Sequence, residues 1–233
     1  MQFMQRNMMR WLKTRTCAAF AIAVIGLPVL AGCGANGKMN SSTGAHEPIP
    51  MGAKDLAVAR LDDGREGFII KESPQMDEAS RRDFDRAVTM LEGGEYAQAV
   101  DLLGKVIEKS PGVTAPYINM AIACRHVGEL EQAEEHLKTA LILVPEHPVA
   151  CNEYGLLYRK TGRFAEARAI YEKAIGRFPD YYPVHRNLGI LCDLYLNDPV
   201  CALEHYEIYS RALPDDTQVK MWIADLRLRL GDN

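Results

Sequence analysis

Three stretches of the chain decide the fold: Leu91-Glu-Gly-Gly-Glu-Tyr-Ala-Gln-Ala99, Arg125-His-Val-Gly-Glu-Leu-Glu-Gln-Ala133 and Arg159-Lys-Thr-Gly-Arg-Phe-Ala-Glu-Ala167. In each of them a glycine stands five residues before the final alanine, and each begins 34 residues after the one before it. A proline follows at the same interval in all three cases, at Pro111, Pro145 and Pro179. A fixed period of this length predicts a solenoid of stacked helical hairpins, because one hairpin cannot bury its apolar faces alone.

The recurring residues have a structural reason at each position of the hairpin. Glycine favours the left-handed conformation that ends a first helix, and proline cannot continue a second helix. Small residues predict the places where the two helices of a hairpin approach most closely. We expect the first helices to contribute Ala87, Ala121, Gly155 and Gly189, which would face Ala99, Ala133, Ala167 and Ala202 of the second helices.

A fourth block keeps Leu188-Gly189, but its later markers, Ala202 and Pro214, come one residue late. This shift predicts a one-residue insertion in the turn of the fourth hairpin, around 196–199. An apolar stripe between Thr217 and Leu230 then predicts a helix that caps the last hairpin. The predicted fold class is therefore all-α, with four hairpins over 80–113, 114–147, 148–181 and 182–214 and a capping helix within 215–233.

The repeated unit resembles the tetratricopeptide repeat, and the resemblance covers about 80–214. It implies a non-catalytic protein that binds an extended or helical peptide in the concave groove lined by the first helices. By register with that family, the groove positions are Phe84, Val88, Leu91, Ile118, Ile122, Arg125, Asn152, Leu156, Arg159, Lys160, Arg186, Ile190 and Asp193.

These groove positions combine aliphatic side chains with basic ones. Arginine binds carboxylates through two parallel hydrogen bonds, so we expect a partner segment with aliphatic anchors and either acidic residues or a C-terminal carboxylate. A second interpretation stays open, because Arg125 and Arg159 lie near helix C-termini, where a positive charge stabilises the helix dipole. The carboxylate-clamp variant of the family is not supported, because its lysines are absent.

The first 32 residues have the pattern of a secretory signal peptide. Basic residues fall within 1–15, and an uncharged run of 14 residues from Cys17 to Leu30 is too short to span a bilayer as a helix. Leu30-Ala-Gly-Cys33 resembles the bacterial lipobox, which implies cleavage before Cys33 and lipidation of its sulfur. The alternative is an ordinary signal peptide with an incidental cysteine. With Gly34 next, the resemblance implies a lipoprotein of the bacterial outer membrane that faces the periplasm.

Two segments separate the predicted lipid anchor from the repeats. Residues 33–54 show no sustained apolar period, which predicts a flexible tether. In the pre-repeat segment 55–79, residues Gly67–Lys71 either form a short strand or dock in an extended conformation against the first helices.

Composition excludes several classes of function. Removal of the signal peptide takes away four of the 27 basic residues and none of the 31 acidic ones, which leaves a net charge of −8. An acidic chain argues against nucleic acid as a partner, and the lipid rather than charge would hold it to a membrane. The histidines show no i, i+4 pair, and no nucleophile elbow or phosphate loop is present. We therefore expect no metal, no cofactor, no small-molecule substrate and no enzymatic activity.

Cys192 and Cys201 stand nine residues apart across the turn of the fourth hairpin. Two interpretations stay open: a disulfide formed in an oxidising periplasm, or free cysteines that pack as small hydrophobic residues.

The predicted function is that of a tethered adaptor in an envelope complex. Repeats joined to a lipid anchor resemble the pilotin and assembly lipoproteins of type IV and related pili. The alternatives are a scaffold for cell-wall hydrolases or proteases, a self-assembling structural protein, and an enzyme whose active site has no familiar motif.

Overall fold

The computed structural model describes residues 57–60, 68–71 and 75–231. The predicted signal peptide, the lipidation at Cys33 and the predicted tether lie outside these residues, as do 55–56, 61–67 and 72–74 of the pre-repeat segment. Two strands and nine helices occur in the described part of the chain: β1 (Ala57–Arg60), β2 (Phe68–Lys71), α1 (Glu78–Gly93), α2 (Tyr96–Lys109), α3 (Thr114–Val127), α4 (Leu130–Leu143), α5 (Pro148–Lys160), α6 (Phe164–Arg177), α7 (Tyr182–Leu194), α8 (Pro199–Ala212) and α9 (Thr217–Leu230).

The helices form four consecutive hairpins, α1–α2, α3–α4, α5–α6 and α7–α8, and α9 packs on α8. This arrangement confirms the predicted all-α solenoid of tetratricopeptide type with a capping helix. Gly94 and Gly128 end the first helices of the first two hairpins with φ values of 79° and 96°. A residue with a Cβ is strained in this left-handed region, which explains why glycine recurs there.

The turn of the fourth hairpin is longer than those of the first two. Only Gly94 and Glu95 separate α1 from α2, whereas residues 195–198 separate α7 from α8. Asn197 takes a positive φ of 51° in this turn, a conformation that asparagine tolerates better than most residues. The longer turn agrees with the insertion predicted from the late alanine and proline.

The close approach within the last two hairpins differs from the prediction. A Cβ on Gly155 would meet the ring of Tyr171, and a Cβ on Gly189 would lie 2.5 Å from Cδ1 of Tyr206. The tyrosines, and not Ala167 and Ala202, fill the space left by the two glycines. The sequence pattern pointed to the alanines because they recur in every repeat, but the larger side chain four residues later reaches across to the first helix.

Buried apolar side chains form two clusters along the solenoid. Residues of α1–α4, among them Leu137, build the first cluster, and residues of α6–α9, among them Leu188, build the second. Helix α5 belongs to both, because Leu157 is buried in the first cluster and Cys151 in the second. Each fully buried leucine contributes about 2 kcal/mol through removal of apolar surface from water.

The two strands form an antiparallel pair before the first helix. Ala57 is opposite Lys71, and Arg60 is opposite Phe68. None of the described helices is long and apolar enough to cross a membrane.

Candidate partner-binding groove

Consecutive first helices contact each other along the solenoid, α1 with α3, α3 with α5, and α5 with α7. Their shared surface is the predicted groove. Lys160 is exposed, and the predicted positions that keep part of their surface exposed are Val88, Ile122, Arg125, Leu156, Arg159, Arg186, Ile190 and Asp193.

Four of the predicted groove residues are buried instead. Phe84, Leu91 and Asn152 have relative exposures of 5%, 8% and 5%, and Ile118 has none. Helices α3 and α5 pack on their own hairpin partners and on both neighbouring repeats, so their buried faces are wider than that of a surface helix, and α1 packs on α2 and α3. These four side chains therefore belong to the interior and cannot supply much contact area to a partner.

Arg125 is held by the next repeat. Its Nη2 donates a 3.0 Å hydrogen bond to Oε2 of Glu153, and the pair links α3 to α5. The Nζ of Lys160 donates to the backbone carbonyl of Arg125 at 3.0 Å, which satisfies an acceptor near the end of α3. The charge of Arg125 is therefore compensated inside the molecule.

Arg186 is held by the capping helix and its N-terminus. Its Nε lies 3.8 Å from Oδ2 of Asp216, its Nη2 donates to Gln218 at 3.5 Å, and its guanidinium lies 5.2 Å from the ring of Trp222. Asp216 also caps α9 by accepting from the backbone N–H groups of Gln218 and Val219.

Between α5 and α7 the linking groups are neutral. Nδ2 of Asn187 donates a 2.8 Å hydrogen bond to Oδ1 of Asn152. Farther along α7, Asp193 accepts a 2.7 Å hydrogen bond from Nη2 of Arg229 on α9. Polar side chains thus bridge α3 to α5, α5 to α7, and α7 to the capping helix α9.

Arg159 differs from the other groove arginines. No carboxylate of the described residues forms an ion pair with it, unlike Arg125 and Arg186. Its buried Nη1 has no hydrogen-bond partner among these residues, and the same holds for the buried Nε of Arg186. The ring of Tyr195 lies beside it, with its centroid 5.9 Å from the guanidinium carbon. The groove therefore contains one arginine whose charge the described protein does not compensate.

The structure has a disulfide bond between Cys192 and Cys201, whose Cα atoms are 5.9 Å apart. Asp198 lies beside the pair and caps α8 by accepting from the backbone N–H of Cys201. These three residues form the one group of metal-type ligands in the described part of the chain, and here both sulfurs are bonded to each other. Cys124 and Cys151 are free and buried, and burial raises the pKa of each thiol, to about 11 and about 12.

Two histidines meet in the fourth hairpin, although their sequence spacing gave no signal. Nδ1 of His185 lies 3.1 Å from Nδ1 of His205, and Nε2 of His185 lies 3.0 Å from the carbonyl of Pro179. A neutral His185 that donates from Nε2 to Pro179 accepts at Nδ1 from His205. Burial lowers the pKa of both rings, which favours this neutral arrangement.

Sequence reasoning missed Glu153, Asn187, Tyr195 and Trp222, which decide how the groove arginines are held. The signal was available in the 34-residue register, because Arg125 and Arg159 occupy one repeat position while Glu153 and Asn187 occupy another. Comparing the two pairs would have separated a compensated arginine from an uncompensated one.

Family models described as "Tetratricopeptide repeat" match residues 83–112 and 112–180. The chain therefore contains tetratricopeptide repeats in the region where the structure has its hairpins. Among curated proteins, 97 residues are 28% identical to a probable UDP-N-acetylglucosamine–peptide N-acetylglucosaminyltransferase, SPINDLY, of Petunia hybrida. That match covers 42% of this chain and spans only 10% of the relative.

Solved structures with the same fold include PilF of Pseudomonas aeruginosa, which is 25% identical, with a TM-score of 0.62 over 67% of this chain and 71% of that one. A tetratricopeptide-repeat protein of Thermus thermophilus, TTC0263, is 22% identical, with a TM-score of 0.58 over 65% and 82% of the two chains. MamA of Desulfovibrio magneticus RS-1 is 18% identical, with a TM-score of 0.56 over 68% and 89%. The last two similarities establish the fold alone.

Proposed function

We propose that this chain, a solenoid of tetratricopeptide repeats, is a non-catalytic adaptor that binds a protein or peptide segment in the groove of its first helices. The observation that supports the proposal is the composition of the accessible groove surface. Val88, Ile122, Leu156 and Ile190 each keep part of their surface exposed, and Arg159 and Lys160 lie on the same helix as Leu156. Aliphatic contacts supply affinity, and the charges restrict which segment binds.

We further propose that the adaptor is a lipoprotein, anchored through Cys33 to the bacterial outer membrane and exposed to the periplasm. The lipobox resemblance supports this anchor. The machine that it serves would be a pilus or a secretion complex, as the resemblance to assembly lipoproteins of type IV-like pili suggests. The similarity to PilF over two thirds of the chain agrees with that choice.

The similarity to the glycosyltransferase adds nothing beyond the repeats. It covers a tenth of that protein, and the family models place tetratricopeptide repeats in this chain. We therefore propose no glycosyl transfer. Regulation of cell-wall hydrolases or proteases would use the same groove and anchor, and the identity of the captured partner distinguishes the two roles.

The first experiment is crosslinking in cells that express the full chain, followed by purification and identification of the bound proteins. An Ile122→Glu/Ile190→Glu variant places two charges in the groove. The matched control is Ile142→Glu, because Ile142 is 56% exposed on the second helix α4 and lies outside the groove. We expect the groove variant to lose the partner and the control to keep it, with both variants folded by circular dichroism.

A partner that survives in the groove variant would show that another surface binds it. A Cys33→Ser variant tests the anchor separately. We expect it to leave the membrane fraction, and a variant that stays there would contradict lipidation of this residue.

A further inference from the structure

We propose that Arg159 is the anion anchor of the groove and that it binds an aspartate or glutamate side chain of the partner segment. This inference rests on the proposed adaptor function and identifies the chemistry that the groove recognises.

The argument begins with two pairs of residues in equivalent repeat positions. Arg125 and Arg159 are 34 residues apart, and so are Glu153 and Asn187. In the first pair Glu153 supplies a carboxylate 3.0 Å from Arg125. In the second pair the equivalent position holds an amide, so the repeat that follows Arg159 offers it no acidic group at this position.

Neighbouring acids do not replace the missing one. Asn187 donates an amide hydrogen to Asn152. Asp193, which occupies the position of Arg159 in the next repeat, has a side chain that is 11% exposed and that pairs with Arg229. Glu153 is already engaged by Arg125. Glu153 and Asp193, the acidic residues described here in this part of the groove, therefore each pair with an arginine other than Arg159.

The state of the guanidinium favours an added acceptor. The buried Nη1 of Arg159 has no hydrogen-bond partner among the described residues, so the chain itself does not satisfy all donors of this guanidinium. A carboxylate that reaches the exposed part of the guanidinium forms a charge-assisted hydrogen bond and compensates its charge. The side chain keeps part of its surface exposed, so a partner can reach it.

The surroundings of Arg159 favour an acidic residue flanked by apolar ones. Tyr195 is 45% exposed and lies against the guanidinium, and Leu194 beside it is 69% exposed. Leu156 precedes Arg159 by one helical turn on the same face of α5 and is partly exposed. Within the chain, the equivalent Arg125 binds the side-chain carboxylate of Glu153. We therefore assign a side-chain carboxylate, and not a chain terminus, as the ligand of Arg159.

The test uses the purified full chain and three labelled decapeptides, measured by fluorescence anisotropy. The first alternates Leu and Glu and has an amidated C-terminus. The second replaces Glu by Gln, and the third is the Gln peptide with a free C-terminal carboxylate. We expect the Glu peptide to bind, and the two Gln peptides to bind at least about tenfold more weakly, since a hydrogen bond to a charged group is worth about that factor or more.

The variants compare the two arginines directly. Arg159→Ala is expected to weaken binding of the Glu peptide by about tenfold or more, whereas Arg125→Ala is expected to change it by less than about threefold. Asn187→Glu is the sharpest variant, because it supplies Arg159 with a carboxylate inside the chain and keeps every positive charge. We expect Asn187→Glu to weaken binding of the Glu peptide as much as Arg159→Ala does, while Asn187→Gln leaves binding unchanged.

Several results would overturn the assignment. Equal losses in Arg125→Ala and Arg159→Ala would indicate diffuse attraction, and unchanged binding in Asn187→Glu would exclude Arg159 as the contact. Preference for the free-acid Gln peptide would assign a C-terminal carboxylate instead. Absence of binding by the Glu peptide up to about 1 mM, a Kd worth only about 4 kcal/mol, would reject the acidic ligand. A cellular partner lost in Ile122→Glu/Ile190→Glu but kept in Arg159→Ala would leave the adaptor function standing and remove the anchor alone.

Discussion

The ring of Tyr171 packs against the backbone of Gly155, in the space that a Cβ at that position would occupy. Tyr206 and Gly189 repeat the relationship one hairpin later. In the first two hairpins the same repeat positions hold alanine on the first helix and Leu103 or Leu137 on the second, and both leucines are buried. In each hairpin a small residue of the first helix therefore lies opposite a large residue of the second helix. Alanine is small enough opposite leucine, whereas the larger tyrosine ring leaves room only for glycine.

Gly155→Ala is expected to destabilise the protein, because the added methyl group overlaps the Tyr171 ring. Overpacking of this kind costs typically about 1–3 kcal/mol, which exceeds the gain in helix propensity of roughly 0.5–1 kcal/mol. Urea unfolding monitored by circular dichroism measures the difference. The double variant Gly155→Ala/Tyr171→Leu restores the combination found in the first two hairpins, so it should recover part of the loss.

Gly176→Ala is the matched control for this change. Gly176 lies in α6 with no heavy atom within 4 Å of its would-be Cβ. We expect this variant to be more stable than the wild type by roughly 0.5–1 kcal/mol. Equal effects of the two substitutions would show that the Tyr171 contact is not responsible.

Tyr171→Phe is expected to leave stability unchanged or to raise it by up to about 1 kcal/mol. The buried hydroxyl of Tyr171 has no hydrogen-bond partner among the described residues, so its removal relieves a desolvated group. Tyr154→Phe makes the same chemical change where the hydroxyl donates a 3.0 Å hydrogen bond to Glu134, and we expect a loss of about 1 kcal/mol. Thermal unfolding of the two variants side by side tests the contrast, which a loss of stability in Tyr171→Phe would contradict.

His147 predicts a dependence of stability on pH. The residue is buried before α5, where its Nδ1 accepts from the backbone N–H of Ala150, and burial lowers its pKa from 6.5 to about 4. Between these two values the unfolded chain binds a proton that the folded chain does not. The contribution is therefore fully present above pH 6.5 and is lost as the pH falls to about 4, with a size on the order of 3 kcal/mol.

His147→Asn separates this contribution from that of other groups, since asparagine caps a helix but does not titrate. The free energy of unfolding of both proteins would be measured by urea denaturation from pH 7.5 to 4. Carboxylates whose pKa is lowered in the fold affect both proteins equally, so the difference between the two curves reports His147. Parallel curves over this range would show that the histidine does not titrate as expected.

Reduction of the Cys192–Cys201 disulfide is expected to lower stability. The cross-link closes a loop with a sequence separation of 9, and the loss of chain entropy in the unfolded state corresponds to roughly 2–3 kcal/mol. Peptide mapping under non-reducing conditions identifies the bond, and thermal unfolding with and without a phosphine reductant measures its effect. The Cys192→Ala/Cys201→Ala variant should melt at the same temperature in both conditions.

The register of the repeats made the hairpins predictable from sequence, because Gly94, Gly128 and the prolines act locally on the backbone. The same register misplaced the contacts of Gly155 and Gly189, since a side chain of variable size, and not the recurring alanine, fills the gap. Periodicity identifies which positions are structural, but the packing partner depends on which neighbouring side chain is long enough to reach.

The groove was predictable only in part. Leu156, Ile190 and Arg159 keep part of their surface exposed, whereas Ile118 is buried, because α3 is packed between four other helices and hides more than one stripe. The charge of Arg125 is compensated by Glu153, which lies 28 residues later in the sequence and in the next repeat. The pattern of a single helix cannot predict such a contact. Charge counted along the sequence therefore overstated the free positive charge of this surface.

The division of the buried side chains into two clusters has a consequence for how the repeats unfold. Each repeat of a solenoid contacts only its neighbours, so one part can lose structure while another stays folded. Here the two clusters meet at α5, and partly buried side chains such as Leu141 and Tyr158 pack against both. We therefore expect loss of the packing around α5 to uncouple the two halves, so that the groove is lost at the repeat that holds Arg159 while the outer hairpins keep their own clusters.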